Sequence, residues 1–214
     1  AISSSFFSVR IIEKGCLFDA VGSAAFPAPK YIAFLAGFLN SPVCHVLLGA
    51  INPTLHFQAW NIGNLPVTIV NSELFNLITK LVESARQISK KDWDSYETSW
   101  DFTSLPLLKN EYKKSSLEES YKTLRAFWQT QVDTMKKLEE ENNDIFIKAY
   151  GLEDELKPEV PLKEITLTCN PAYRYDAKKS TEELEVLLRT DTVKEFISYA
   201  VGVMFGRYSL DHDG

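Results

Sequence analysis

Between Ser116 and Leu152 the apolar residues fall into two sets that each advance by heptads. One set is Leu117, Leu124, Gln131, Leu138, Ile145 and Leu152; the other is Tyr121, Trp128, Met135, Asn142 and Ala149. Two such sets offset by three or four positions draw one seam along a helix, and no strand or loop has that period. Ser116 with Glu119 reads as a capping box at the start, and Gly151 as a left-handed stop. At 1.5 Å per residue the helix would be about 50 Å long, a stiff rod that would hold whatever lies at its two ends at a set distance. The same seam also suits the buried face of a helical bundle. Its two polar positions, Gln131 and Asn142, fit either arrangement, because a single buried amide often sets register. The natural partner is a second amphipathic helix, introduced by Asn71 and carrying Leu74, Leu77, Ile78, Leu81, Val82, Ala85 and Ile88.

The rest of the chain is bounded by its totals. With 214 residues, 45% of them apolar and 24% charged, it can bury one or two cores of the ordinary globular kind. No apolar run reaches the ~18 residues that span a bilayer. The chain starts at Ala1 without a visible secretory signal, and the expectation is an excised piece or processed product. Cys16, Cys44 and Cys169 are odd in number and far apart, which suggests neither a disulfide framework nor a zinc site. The expectation is a reducing, cytoplasmic (bacterial) setting and no membrane. The net charge is −6, yet residues 1–70 hold Arg10, Lys14 and Lys30 against Glu13 and Asp19, so the acidity lies in the helical part. Nucleic-acid affinity depends on neutralising phosphates, and any such contact has to come mainly from the first segment.

Taken in order, residues 1–26 read as strands and turns: Phe6, Phe7, Val9, Ile11 and Ile12, a turn at Glu13-Lys14-Gly15, then Cys16-Leu17-Phe18. Pro27 and Pro29 lead into a helix from about Lys30 to Gly49, apolar on most sides and therefore buried, with Pro42 kinking or splitting it. Leu55, Phe57 and Ala59 alternate with His56, Gln58 and Trp60, the period of a strand. Residues 91–115, rich in aromatics, read as a loop packed across the bundle. Glu164 to Cys169 is strand-like, Asn170-Pro171-Ala172-Tyr173 a turn. Ser180 with Glu183 caps a final helical region that a second box, Thr192 with Glu195, would break near Asp191. The expected fold class is α+β, mostly α: a small N-terminal β segment with a buried helix, then a long antiparallel helical pair and a C-terminal helical region. The expected domains are 1–70, 71–157 and 158–214.

Tested for chemistry, Asn170-Pro171-Ala172-Tyr173 comes nearest to a motif. Amino-group DNA methyltransferases place Asn/Asp-Pro-Pro-Tyr/Phe at a strand end to engage a flipped base. Here the second proline is alanine, and the chain has no Gly-x-Gly turn to admit the methyl donor. His45 and His56 have no spaced carboxylate or cysteine partner, and each reads as a packing histidine. Glu139, Glu140, Glu141 and Asp144 read as a solvated helix face. The expectation is no catalytic residue, no metal and no cofactor site in these residues.

Several stretches together resemble one family, the large adenine-specific DNA methyltransferases of BREX phage-exclusion systems, of the PglX type. They are Phe7-Ser8-Val9-Arg10, Gly15-Cys16-Leu17-Phe18-Asp19, Leu35-Ala36-Gly37-Phe38-Leu39-Asn40-Ser41, Asn52-Pro53-Thr54-Leu55-His56-Phe57-Gln58 and Ile62-Gly63-Asn64-Leu65-Pro66. Further along come Ser99-Trp100-Asp101-Phe102, Tyr150-Gly151-Leu152, Ile165-Thr166-Leu167-Thr168-Cys169-Asn170-Pro171 and Phe196-Ile197-Ser198-Tyr199-Ala200-Val201-Gly202. The resemblance covers nearly the whole chain. It implies a C-terminal piece whose catalytic domain lies upstream: the end of a target-recognition domain over 1–70, a helical spacer over 71–157, and a connector with C-terminal helices over 158–214. The parent would use S-adenosylmethionine to methylate an adenine amine in double-stranded DNA. The candidate DNA contacts are Ser3, Ser4, Arg10, Lys14, Lys30, Asn52, His56, Gln58 and Asn61. The alternative is a protein-interaction scaffold that docks other defence-complex subunits or a phage inhibitor.

Overall fold

The computed structural model describes residues 7–13, 15–17, 23–52, 54, 57–175 and 178–208. Among the described residues seven α-helices follow one another: α1 (Ile32–Leu39), α2 (Pro42–Ile51), α3 (Ala59–Gly63), α4 (Ser72–Trp93), α5 (Leu117–Tyr150), α6 (Pro171–Arg174) and α7 (Thr181–Met204). Single 3₁₀ turns lie at Pro29–Tyr31, Pro106–Leu108 and Leu162–Glu164. The long heptad stretch is one uninterrupted helix of 34 residues. Ser116 caps it through its hydroxyl, which accepts from Glu119 N at 3.2 Å. At the other end Gly151 adopts φ +65°, Leu152 N donates to Ile147 O at 3.0 Å and Gly151 N to Lys148 O at 3.1 Å. Those two bonds are the paired closure that a left-handed glycine permits.

The chain divides into two compact units, residues 1–86 with 137–159, and residues 87–136 with 160–214. In the first, α1 and α2 are joined at a 78° bend, with Pro42 at the first position of α2 and Ser41 as its cap. Proline lacks the N–H that a helix start leaves unpaired anyway, so the chain splits there. Phe34, Phe38, Val43, Cys44 and Leu48 from this pair are buried with Ile78 and Leu81 of α4 and with Ile145, Phe146 and Ile147 of α5. Gly37 admits α5 closely: a Cβ there would lie 2.6 Å from Asn142 Oδ1, 3.0 Å from Val82 Cγ2 and 3.1 Å from Ile78 Cγ2. Asn142, a polar seam position, donates to Gly37 O at 3.1 Å. Tyr150 closes the unit by donating to Pro66 O at 2.5 Å while accepting from Thr68 N at 2.9 Å.

In the second unit Leu124, Trp128, Val132 and Met135 of α5, Leu184, Leu188 and Tyr199 of α7, and Tyr96, Leu105, Leu107 and Tyr112 of the intervening stretch are buried. Arg125 makes a bidentate pair with Glu185, Nε to Oε2 at 2.9 Å and Nη2 to Oε1 at 2.5 Å. The aromatic stretch over 91–115 is packed only in part, since Trp93 and Trp100 face solvent.

The expected α+β class is wrong: no strand occurs among the described residues, which are helical or irregular. At two of the places, 7–13 and 164–169, alternation reports burial without pairing. The extended segment 7–13 has no neighbouring strand. Its Val9 backbone is gripped on both sides by the Asn40 amide, Val9 N to Oδ1 at 3.0 Å and Nδ2 to Val9 O at 3.3 Å, which stands in for a ladder. Its Phe7 carbonyl accepts from His45 Nε2 at 2.7 Å, so that nitrogen carries the proton. The expected strand through Ala59 and Trp60 instead turns into α3. Over 164–169, Ile165, Leu167 and Cys169 do alternate inward. The N–H groups of Thr168 and Cys169 are taken by the Asp92 carboxylate, at 2.6 and 3.0 Å, and not by a partner strand. The expected break near Asp191 is also absent. Thr192 bonds back to Leu188 O at 2.8 Å and Glu195 pairs with Arg174 at 2.7 Å, so neither end of that box is spent on capping and α7 runs through. Ser3, Ser4, Phe6, Lys14, Phe18, Leu55 and His56 lie outside the described residues.

Candidate nucleic-acid interface

The candidate contacts in the described residues fall on three pieces of the first unit. Arg10 is exposed on the extended segment that Asn40 and His45 fasten to α1 and α2. Glu13, the nearby acid, is engaged by Arg86 of α4 at 2.8 Å, so its charge is offset within the protein. The Arg86 guanidinium is held above its ordinary value chiefly by its hydrogen bond to Glu83, with Glu13 adding to the effect. Lys30 is exposed in the turn before α1, its Nζ 4.8 Å from the centre of the Tyr31 ring.

Asn52, Gln58 and Asn61 form the third piece, and here most of the polar groups are spent locally. Asn52 Oδ1 accepts from Thr54 N at 3.1 Å and from Thr54 Oγ1 at 2.7 Å. Its amide nitrogen donates to Asn61 Oδ1 at 3.4 Å, and that oxygen also accepts from Gln58 N at 2.9 Å. Asn61 is buried, while the Gln58 side chain is exposed. Asn52 and Asn61 are thus turn-formers, and Gln58 is exposed while its side chain joins Asn61 in the capping box that starts α3. Beside it Trp60 is exposed, an aromatic that the strand reading had placed on the polar face. The structure brings together Asn52, Gln58 and Asn61, and leaves Arg10 and Lys30 on separate elements. Ser3, Ser4, Lys14 and His56 are among the residues not described.

On separate elements of the first unit, Arg10, Lys30, Gln58 and Trp60 are each exposed. Arg and Lys neutralise phosphates, the amide can read a base edge, and an indole can stack. Sequence reasoning missed Asn40 and His45, which hold the Arg10 segment in place. No local signal distinguishes them, because their role depends on a contact 31 and 38 positions away.

The second unit contains the Asn170 turn, and its geometry decides what Asn170 does. The residue is buried, with Oδ1 accepting from Ala172 N at 3.1 Å and Nδ2 donating to Leu162 O at 2.7 Å and Ile165 O at 2.9 Å. Every hydrogen-bonding group of the amide is directed into its own backbone, so none is presented to a flipped base or a methyl donor. Among the described residues no group of three His, Cys, Asp or Glu is placed to hold a metal ion. Burial pushes the Cys44 thiol up to about 12 and raises the Cys169 thiol further, so both are inert as nucleophiles. No helix among the described residues is long and apolar enough to cross a membrane; the one bent pair of sufficient length, Pro29–Leu39 with Pro42–Ile51, supplies the core of the first unit.

Over its whole length the chain is similar to one region of larger proteins named as adenine-specific methyltransferases. One relative is the adenine-specific methyltransferase PglX of Lacticaseibacillus casei (strain Zhang), 35% identical over 222 residues, and another is the adenine-specific methyltransferase BrxX of Escherichia coli O9:H4 (strain HS), 34% identical over 216. The alignments take in all of this chain but 16% and 17% of those proteins, so the chain spans about a sixth of their length. No family model matches the chain.

Proposed function

We propose that this chain is the target-recognition and spacer region of a larger adenine-specific, S-adenosylmethionine-dependent DNA methyltransferase of a BREX-type phage-defence system, and is not itself catalytic. The observation that carries the reading is the match along the full chain to one region of two such enzymes, in a piece whose only methyltransferase-like turn is consumed by its own backbone. In this reading residues 1–70 are the end of the recognition domain, 71–157 the helical spacer and 158–214 a connector with C-terminal helices. Methyl donor and catalytic residues belong to the remainder of the parent protein, and double-stranded DNA reaches this region only in that context. Arg10 and Lys30 contact phosphates, and Gln58, with Trp60 beside it, faces the grooves. Ser3, Ser4, Lys14 and His56 complete the proposed contact set, and Asn52 and Asn61 shape the turn that presents Gln58.

The test is a salt titration of DNA binding by the full-length methyltransferase containing this region. Each phosphate contact contributes about 0.9 to the slope of log K against log salt, so Arg10→Ala with Lys30→Ala is expected to lower the slope by roughly 2. Gln58→Ala is expected to relax sequence preference with little change in slope. An unchanged slope and an unchanged preference would remove residues 7–70 from the DNA interface.

A further inference from the structure

The last helix, α7, is apolar on two opposite faces. Leu184, Leu188, Thr192, Tyr199 and Gly202 are buried in the second unit. On the other side Val186, Thr190, Val193, Ile197, Ala200 and Met204 follow one another at steps of four, three, four, three and four. That is a heptad seam, about 27 Å long at 1.5 Å per residue, and it points away from the core. Val186, Val193, Ile197 and Met204 are 50%, 38%, 56% and 74% exposed. A seam of this regularity is the pattern by which one helix receives another, and soluble proteins seldom leave so continuous an apolar stripe uncovered.

The flanks of the seam say what covers it. Thr190 and Ile197 take the a positions and Val186 and Val193 the d positions, so Arg189 is a g residue and Lys194 an e residue. Both are exposed; of the nearby acids, Asp191 accepts from the Tyr175 hydroxyl at 2.7 Å and from Lys194 Nζ at 3.3 Å, and Glu195 turns inward to Arg174 at 2.7 Å. The outward face of α7 from Val186 to Met204 therefore carries cations on both flanks and no exposed acid. A second copy is a poor occupant. In a parallel pair Arg189 of one chain would face Lys194 of the other, twice over, and antiparallel pairing also sets cation against cation. A helix with acidic flanks meets the same cations favourably.

We propose that the outward face of α7 docks an amphipathic helix with an apolar heptad seam and acidic flanks, supplied by the part of the full-length methyltransferase outside these 214 residues. The source follows from length: about five-sixths of each curated relative lies beyond the region this chain matches, so the partner helix is covalently at hand. The proposal rests on the larger-enzyme part of the functional reading and is independent of DNA recognition.

The experiment places the photo-crosslinking amino acid p-benzoylphenylalanine at position 197 of the full-length protein, irradiates it without DNA, and maps the product by mass spectrometry. The expected result is a link within one polypeptide, to a helix-forming peptide outside the 214 residues with Asp or Glu beside its apolar seam. The yield should fall at least threefold in R189E/K194E and stay unchanged in R189K/K194R, while the same probe at the exposed Lys122 gives no such link. A product of doubled mass would assign the face to a second copy. No link at position 197, or one insensitive to charge reversal, would likewise overturn the proposal. None of these outcomes bears on the salt titration, so the docking and DNA readings fail separately.

Discussion

Replacing Gly37 by alanine tests how the first unit is assembled. In an unencumbered helix the change would stabilise by about 1 kcal/mol, because alanine is the better helix former. Here the new methyl would sit 2.6 Å from Asn142 Oδ1 and within 3.0 and 3.1 Å of Val82 and Ile78, all in the core. Overpacking of this kind costs about 1–3 kcal/mol, and pushing the Asn142 amide away from Gly37 O forfeits a buried hydrogen bond, a further ~1 kcal/mol. The net expectation is a loss of about 1–3 kcal/mol, with faster amide exchange across 32–39. The cycle with Asn142→Ala makes the reasoning specific. With the amide gone only the two methyl contacts remain, the propensity gain offsets them, and Gly37→Ala becomes nearly neutral. The two changes should therefore couple by about 1–3 kcal/mol. Urea titration followed by circular dichroism and amide-exchange mass spectrometry reads all three variants. Strict additivity, or a Gly37→Ala protein more stable than the parent, would refute the close approach of α1 and α5.

Three further outcomes follow from individual contacts. Asp92→Ala removes the acceptor of two backbone N–H groups at 2.6 and 3.0 Å and should cost about 2–4 kcal/mol, with Asp92→Asn costing less and Thr168 and Cys169 showing the largest gain in amide exchange. Of the three thiols, exposed Cys16 should take iodoacetamide rapidly in the native protein, while Cys44, pushed up to about 12 by burial, and Cys169 should react only after denaturation, as intact mass will show. Asp191 is held below its ordinary value of 3.8, chiefly by the Tyr175 hydroxyl. Its contribution is complete above the unfolded value and lost as pH falls through the lower folded one, so Asp191→Asn should flatten the decline in urea midpoint on acidification from about pH 5 to about pH 3. The neighbouring Glu195 is raised, chiefly by burial, and acts in the opposite direction, so it cannot mimic that result.

The elements legible in the sequence are those whose signals are local. The heptads of α5 and its Ser116 and Gly151 ends, the Asn71 cap of α4, whose Oδ1 accepts from Leu74 N at 2.9 Å, and the Ser180–Glu183 box of α7 all lie within a few residues of what they control. The strands failed because alternation reports burial, whereas pairing needs a partner that no local pattern reveals. Phe7, Ile165 and Leu167 are buried as an alternating run requires, yet their neighbours' backbone groups are satisfied by Asn40 and Asp92. The Thr192–Glu195 box misled for a related reason, since the same spacing places both residues on one face of an unbroken helix and Arg174 claims the glutamate. At the candidate interface the sequence identified residue types suited to DNA. It could not separate Gln58, which is exposed, from Asn61, which is buried in the turn.

The account's central claim is that this region reads DNA for chemistry done elsewhere in a longer enzyme. Its most direct test exchanges residues 1–70 in the full-length protein for the corresponding segment of a relative that methylates a different sequence, then reads the modified adenines by long-read sequencing. The account predicts methylation at the donor's sequence, in whole or in the half that this segment governs. Methylation that continues at the original sequence with undiminished efficiency would contradict it.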